Sequence, residues 1–358
     1  MTTTVRALSC SVTFNAVSLT DVIQARGQIV ADTGWPTCSV FVTAKPGSGE
    51  EDAALSVTAG AGNNVTRFTG VLREFRSVGF PKSIELVCSG TLAYAEDWAP
   101  HEDLVYVSGS GFLSADSNDM DPATDQVLVR AILDATPNVT YTSGDIAGTG
   151  ITLGSEAPDA FTWKAGVSAW RMIQQLDRAT LYRTYQDRNG AIKRVQMVGH
   201  PSGSPSFTLA DDDVLDGSTG TRETTRTRNG VLVTGHDYGK GLGPVQATRT
   251  GSFHGWATRW DKFSSDMIES GEDPPGTPDG LGGLQAGDIA DAVLDDVLKE
   301  FVEASVPTWR DDTIEPGVTM LLDCLNRLAI GENLWVQGYS WEVTDNWTAT
   351  LTLSGGGI

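Results

Sequence analysis

The chain is poor in the residues from which active sites are usually built. Its four histidines, His101, His200, His236 and His254, are scattered and never stand at metal-ligand spacing. Its four cysteines, Cys10, Cys38, Cys88 and Cys324, form no CxxC pair, which leaves neither a zinc ribbon nor a redox motif and predicts buried or free thiols. No serine sits in a nucleophile elbow, so only a triad assembled by the tertiary fold would escape a sequence scan. No stretch approaches the roughly 20 apolar residues needed to span a bilayer. Residues 1–6 lack the apolar core of a signal peptide, and synthesis in a cytoplasm is the expectation.

Positive charge is also short. Against 25 Lys and Arg stand 46 Asp and Glu, a formal net charge of −21. The deficit is uneven: residues 1–157 carry −10 and residues 261–358 carry −15, whereas residues 158–260 carry +4. An acidic chain repels nucleic acid and anionic lipid at long range, which argues against sequence-specific DNA binding. The charge could serve solubility, or form an acidic wall past which DNA slides without sticking.

What is present is β pattern. With 358 residues and 40% hydrophobic content, the chain can bury real cores and has room for two to four domains. The end of the chain reads as a hairpin. Residues 334–343 alternate, slip phase at Gly338 as a bulge would, and continue through Tyr339, Trp341 and Val343. Asp345 and Asn346 supply a turn, after which Trp347, Ala349, Leu351 and Leu353 alternate with threonines. An isolated hairpin is not stable in water, so its partner strands must lie far upstream.

Upstream, residues 39–43, 55–58, 65–72 and 83–88 read as strands separated by turn-rich residues 45–49 and 59–64. Asp121 and Pro122 read as the start of a helix with Val127, Leu128, Ala131, Ile132 and Ala135 on one stripe and Pro137 beyond its end. A second helix begins near Ser168, with Trp170, Ile173, Leu176 and Ala179 on its apolar side. Residues 180–185 and a return strand through Ile192, Val195 and Met197 flank a tight turn at residues 187–190. Residues 207–215 and 229–234 read as a resumed β domain, interrupted over residues 239–310 by Gly- and Pro-rich sequence, including 271–276 and 280–283, and by a helix over 288–304. In that helix Ile289, Val293, Val297 and Phe301 recur every fourth residue.

Motifs with chemical meaning are weak. Residues 212–223 place Asp212, Asp216, Gly217 and Glu223 where a calcium loop has ligands, but Val214 occupies a position that needs oxygen. A polar turn explains them better, and with 46 Asp and Glu in the chain carboxylates are too common for two of these acids to mark a glycosidase pair. Residues 148–154 mimic a dinucleotide loop at the wrong spacing, and Pro158 follows instead of a helix. Residues 234–240 lack the first glycine and the final hydroxyl residue of a phosphate loop. Of the ten tryptophans, Trp256 and Trp260 could line a sugar-binding face, although core or interface packing accounts for tryptophan more readily.

The order of these segments resembles the baseplate hub and tail-tip hub proteins of tailed bacteriophages, whose fold also forms the base of contractile-injection spikes. The resemblance is carried by residues 170–197, by 207–213 followed by 228–235, by 313–319 around Pro316 and Gly317, and by the closing hairpin, about a third of the chain. The family leads from this Pro-Gly straight into a strand through an acidic or polar residue, whereas here Val318 follows and residues 318–330 read as helical, with Met320, Leu321, Cys324, Leu325 and Leu328. The resemblance implies a mainly β fold with α+β inserts, made of two tail-tube-like antiparallel β-barrel domains plus two insertion domains. The expected division is a first barrel at 1–108, an α+β insert at 109–203, a discontinuous second barrel at 204–238 and 311–358, and an insertion at 239–310. It implies a homotrimer continuing the tail tube at the virion tail tip and assembled in the host cytoplasm. Its partners would be distal tail, tail-tube, tape-measure, tip, spike or fibre proteins, with DNA passing an acidic lumen unbound. No catalytic, cofactor-binding or metal residue is assigned, and no enzyme activity or cofactor is expected. The rivals are a tail-tip adhesin or carbohydrate-binding module and, more remotely, a cell-wall hydrolase.

Overall fold

The computed structural model describes residues 8–355 except 32, 45, 47–51, 62–64, 79–82, 156–157, 198–200, 202, 224–225, 240–242, 254, 256, 271–283, 311–313 and 345–346. His200, His254, Trp256, Thr313, the turn at 345–346, most of the turn expected at 45–49, residues 62–64 of that expected at 59–64, and the stretches 271–276 and 280–283 therefore lie outside the described residues, while residues 59–61, expected in a turn, continue a strand.

Seven strands come first: β1 (Leu8–Phe14), β2 (Val17–Leu19), β3 (Val22–Val30), β4 (Thr37–Val42), β5 (Ala54–Ala61), β6 (Val65–Val78) and β7 (Ser83–Ser89). They pair antiparallel in the order β3-β4-β7-β6-β5-β1-β2. Strand β4 shows why: Cys38, Val40 and Val42 are buried while Thr37, Ser39 and Phe41 are half-buried, the period of two that a sheet with one covered face requires. The strands β1 to β3 have no counterpart in the sequence reading, because Ser9, Ser11, Thr13, Gln24, Arg26 and Gln28 dilute their apolar signal.

Next come α1 (Tyr94–Asp97), the hairpin β8 (Leu104–Val107) and β9 (Gly111–Ser114), β10 (Ala123–Thr124), α2 (Asp125–Ala135), β11 (Thr152–Leu153), α3 (Ala169–Thr180), and the hairpin β12 (Tyr182–Gln186) and β13 (Ile192–Gln196). Ser168 caps α3 by accepting from the Arg171 amide at 3.2 Å. The expected cap of α2 is displaced: Asp121 accepts from the Ser108 amide at 2.8 Å instead, and the helix begins at Asp125.

The chain then forms β14 (Phe207–Ala210), a 3-10 turn at Asp211–Asp213 where the strand was expected to continue, and β15 (Thr219–Glu223). Strands β16 (Gly230–Asp237), β17 (Pro244–Thr250) and β18 (Trp260–Ser264) make a separate sheet in the order β17-β16-β18, on which α4 (Ala286–Val297) packs. The strand expected at 229–234 thus pairs away from the large sheet. The last strands are β19 (Phe301–Thr308), β20 (Thr319–Cys324), β21 (Ile330–Val343) and β22 (Trp347–Ser354).

Two expected helices give way here. The one over 288–304 ends at Val297, and Phe301 belongs to β19, where Val302, Ala304, Val306 and Thr308 are buried on alternate positions. The helix over 318–330 is strand β20: Met320, Leu322 and Cys324 are buried while Leu325, beyond its end, is exposed. A short apolar run fits either period, and pairing with β14 and β21 decides it.

The fold is mainly β with small α inserts, and its largest element is a 13-stranded sheet. The second half of that sheet runs β15-β19-β22-β21, with β20 on β21 and β14 on β20, and an isolated bridge between Val214 and Thr308 brings the segment after β14 back to β19. The two halves expected as separate barrels are joined edge to edge, because β21 pairs with β3 from Gly338 opposite Val30 to Val343 opposite Ala25. The seam is tight. A Cβ at Gly27 would lie 2.8 Å from both the Trp341 ring and the Thr37 carbonyl oxygen, so only glycine fits. The register shift between Val336 and Gly338 is the bulge that the phase slip predicts.

Two cores result. One lies under the large sheet and mixes Val12, Val40 and Leu86 with Leu322, Trp341 and Leu351. The other joins the two inserts, with Ile132, Trp163 and Ile173 packed in the same cluster as Val231, Phe263 and Val293.

Candidate functional site

The candidate calcium loop is a structural turn. Immediately before it, Asp211 accepts from the Asn326 side chain at 2.7 Å and from the Arg327 amide at 3.1 Å. Asp213 pairs with Arg310 at 3.3 Å, Glu223 with Arg226 at 3.0 Å, and Asp216 faces Arg327 at 3.7 Å. Each of these carboxylates meets a cation or an amide, and they do not converge on one point. Among the described residues no group of three or more His, Cys, Asp or Glu side chains could hold a metal ion.

The loop at 148–154 has its amides already facing anions. The Thr149 amide donates to Asp125 at 3.1 Å, and the Gly154 amide donates to buried Glu269. A phosphate would have to displace a carboxylate at both places. His101 is exposed beside Glu102, and His236 lies edge-on to Tyr238, 3.6 Å from Asp159. Residues 234–237 are the end of β16, Tyr238 and Gly239 follow it, and Lys240 lies outside the described residues. Trp260 is exposed on β18, whereas Trp163, Trp170, Trp341 and Trp347 are buried in the two cores.

What the fold does bring together are two polar junctions that the sequence reading missed. Arg194, on β13, is fully buried: its Nη1 donates to Asp125 at 2.6 Å and to the Ala147 carbonyl at 2.8 Å, its Nε donates to Asp177 at 2.7 Å, and its Nη2 donates to Thr180 at 2.6 Å. Burial works against its charge, but Asp177 and Asp125 outweigh that and hold it on the protein. One guanidinium therefore ties α2, α3 and β13 together. The sequence signal is faint: Arg194 lies two residues from Ile192 on the same face of β13, with Lys193 between them.

The second junction connects the insert to the closing strands. Lys193 lies 2.8 Å from Asp187 and 3.0 Å from Glu315, and Arg188 lies 3.4 Å from Glu315. Desolvation lowers the Lys193 pKa, yet the hydrogen bonds to Asp187 and Glu315 raise it further than burial depresses it. Glu315 immediately precedes Pro316 and Gly317. Gly317 has φ +80° and donates to the Val336 carbonyl at 2.9 Å, which turns the chain into β20.

On the large sheet, the side opposite the core is polar across the seam. Arg26, Gln28, Thr37, Ser39, Glu342 and Thr350 line a shallow groove of about 540 Å³ there. Arg26 stands 3.6 Å from Glu85 and over the Phe41 ring, and Gln24 donates to Glu342. The groove is open along its length rather than an enclosed chamber. It is a surface past which something could move or against which something could seat.

No protein-family model matches the sequence, and no curated protein sequence is similar to it. Solved structures are similar. A tail protein from Neisseria meningitidis MC58 superposes with a TM-score of 0.62 at 11% identity, over 98% of each chain. The prophage tail protein gp18 from Listeria monocytogenes EGD-e gives 0.60 at 11% identity, over 97% of this chain and 94% of that one.

The chain has the fold of phage tail proteins.

A chain of the Francisella PdpA–VgrG complex shares the tail-protein fold at a TM-score of 0.54 and 9% identity, over 98% of this chain and 58% of that one. The strand that follows Gly317 removes the helical part of the departure from the tail-hub pattern noted in the sequence, since β20 begins two residues on, at Thr319, while Val318 still stands where that pattern has an acidic or polar residue.

Proposed function

We propose that this protein is a structural hub at the tip or baseplate of a phage tail, where three copies close a ring that continues the tail tube and joins it to tip, spike or fibre proteins. The observation that carries this is the likeness to a tail protein over 98% of both chains, inserts included. The joined sheet supports it physically. A long sheet exposes edges unless they are covered or paired, and β2, β15 and, on the branch through β20, β14 end the large sheet here. In a ring of copies the two β halves of each chain would supply two arcs, so three chains would match a six-fold tube. The division into two barrels, at 1–108 and at 204–238 with 311–358, and two inserts belongs to this proposal, with β19 added to the second barrel and β16 to the insertion. The role is assembly, without turnover or cofactor.

Mass measurement of the assembled particle tests the proposal. Three copies per particle are expected. Six copies, or a single copy at the tail tip, would be incompatible with the trimeric hub.

A further inference from the structure

One helix of this acidic chain offers solvent only cations and amides. In α3, Trp170, Met172, Ile173, Leu176 and Ala179 are buried, while Arg171, Gln174, Gln175 and Arg178 are exposed. Their spacing of three, four and seven places them on one continuous face. The one carboxylate of the helix, Asp177, is turned inward to the Arg194 Nε and to the Thr184 amide, each at 2.7 Å. Among the described residues no carboxylate lies within ion-pair distance of Arg171 or Arg178, and the Arg178 guanidinium rests 5.5 Å from the centre of the Phe263 ring. Beside this face runs a groove of about 590 Å³, bordered by Ala31, Arg183 and Thr184.

A chain with 46 carboxylates has ample means to neutralise two helix arginines by ordinary i, i+4 pairing, yet leaves them without an acid on their own helix face. α3 also lies within residues 158–260, the stretch that carries a cationic excess in a protein of net −21. Such a face is complementary to the acidic excess that residues 1–157 and 261–358 of the same protein carry, and complementarity of this kind sets orientation and partner choice. DNA would also offer negative charge, but the whole molecule's field opposes its approach.

We propose that the exposed face of α3, with the groove beside it, docks an acidic surface of a second copy of this chain. A contact between two unlike patches is heterologous and repeats head to tail, so a rotation of one third of a turn closes it into a ring. The inference rests on the ring reading given above and names the surface that orients the copies.

The test uses the full chain carrying R171E and R178E together, compared with wild type and with R171K plus R178K, by light scattering over a range of concentration and salt. Wild type and the lysine variant should associate as trimers that loosen as salt rises, and the glutamate variant should associate about tenfold or more weakly. A photo-cross-linking residue at Gln174 in an otherwise wild-type chain should join to an acid-rich segment of another copy, which decides the matter even if the glutamate variant melts early. An unchanged trimer for R171E plus R178E, or cross-links confined to one chain or to added duplex DNA, would overturn this inference and leave the ring intact. A wild-type chain that stays single both in solution and in the particle would overturn both.

Discussion

At the scale of single residues, the buried Arg194 is the most consequential side chain in the insert. Removing it would leave Asp125 and Asp177 buried without a cation, and the loss of one member of such a cluster costs about 3–5 kcal/mol. Arg194→Ala should therefore lower the denaturant midpoint sharply, while Arg194→Lys keeps the charge, loses the fork of donors and falls between. An Arg194→Ala chain as stable as wild type would contradict this account. The cysteines give a second residue-level expectation. Burial pushes the Cys88 thiol up to about 12, and Cys38 is raised as well, by burial first and then by Cys88 and Cys10. At neutral pH a thiol reagent should modify exposed Cys10 in the native protein and reach Cys38, Cys88 and Cys324 only on unfolding. The fold favours the protonated Cys88 thiol, so its contribution to stability is full below about pH 9 and lost as pH rises towards about 12. Rapid native labelling of two or more thiols would show that the packing around them is wrong.

At the scale of elements, α4 and β19 divide a segment whose apolar spacing predicts one helix. Ile289 and Val293 carry the packing of α4 on its three-stranded sheet, whereas Phe301 is half-buried on β19 with the Arg226 guanidinium 4.4 Å from its ring centre. Ile289→Ala should cost about 2 kcal/mol or more, as truncations in packed cores do. Phe301→Ala, which removes partial burial and one cation–π contact, should cost about 1 kcal/mol. Thermal unfolding of the two variants side by side measures the order. A larger loss for Phe301→Ala would place the core contact on the strand instead.

At the scale of the whole molecule the open quantity is where the acidic excess points. Several described acids are locally offset: Arg26 stands beside Glu85 on the polar sheet face, Arg249 donates to Asp291 at 2.7 Å, and Lys299 lies 3.6 Å from Asp295 on α4. The hub proposal puts a substantial part of the remaining excess, from residues 1–157 and 261–358, on the axial channel, where a repeated negative field would keep DNA from adhering during ejection. An image of the assembled ring should then show a lumen more negative per unit area than its outer wall. A neutral or positive lumen, with the acids gathered on the outer insertion around α4, would leave the hub standing and reduce the charge to a matter of solubility.

The sequence by itself determined the mainly β class, the closing hairpin with its bulge at Gly338, and helix α3 with its Ser168 cap. Each is a local pattern, a period of two, a period of 3.6 or a cap, that needs no distant partner to be recognised. Tertiary structure decided the rest. Whether residues 318–330 and 301–308 became helix or strand depended on β14, β21 and β22 offering ladders to them, and short apolar runs carry no preference strong enough to settle that alone. The seam between β3 and β21 joins positions more than 300 residues apart, and Arg194 meets Asp125 across 69. Such pairings leave no periodic mark in the chain, because a contact between distant residues is set by how the sheets and helices pack and not by the spacing of their neighbours.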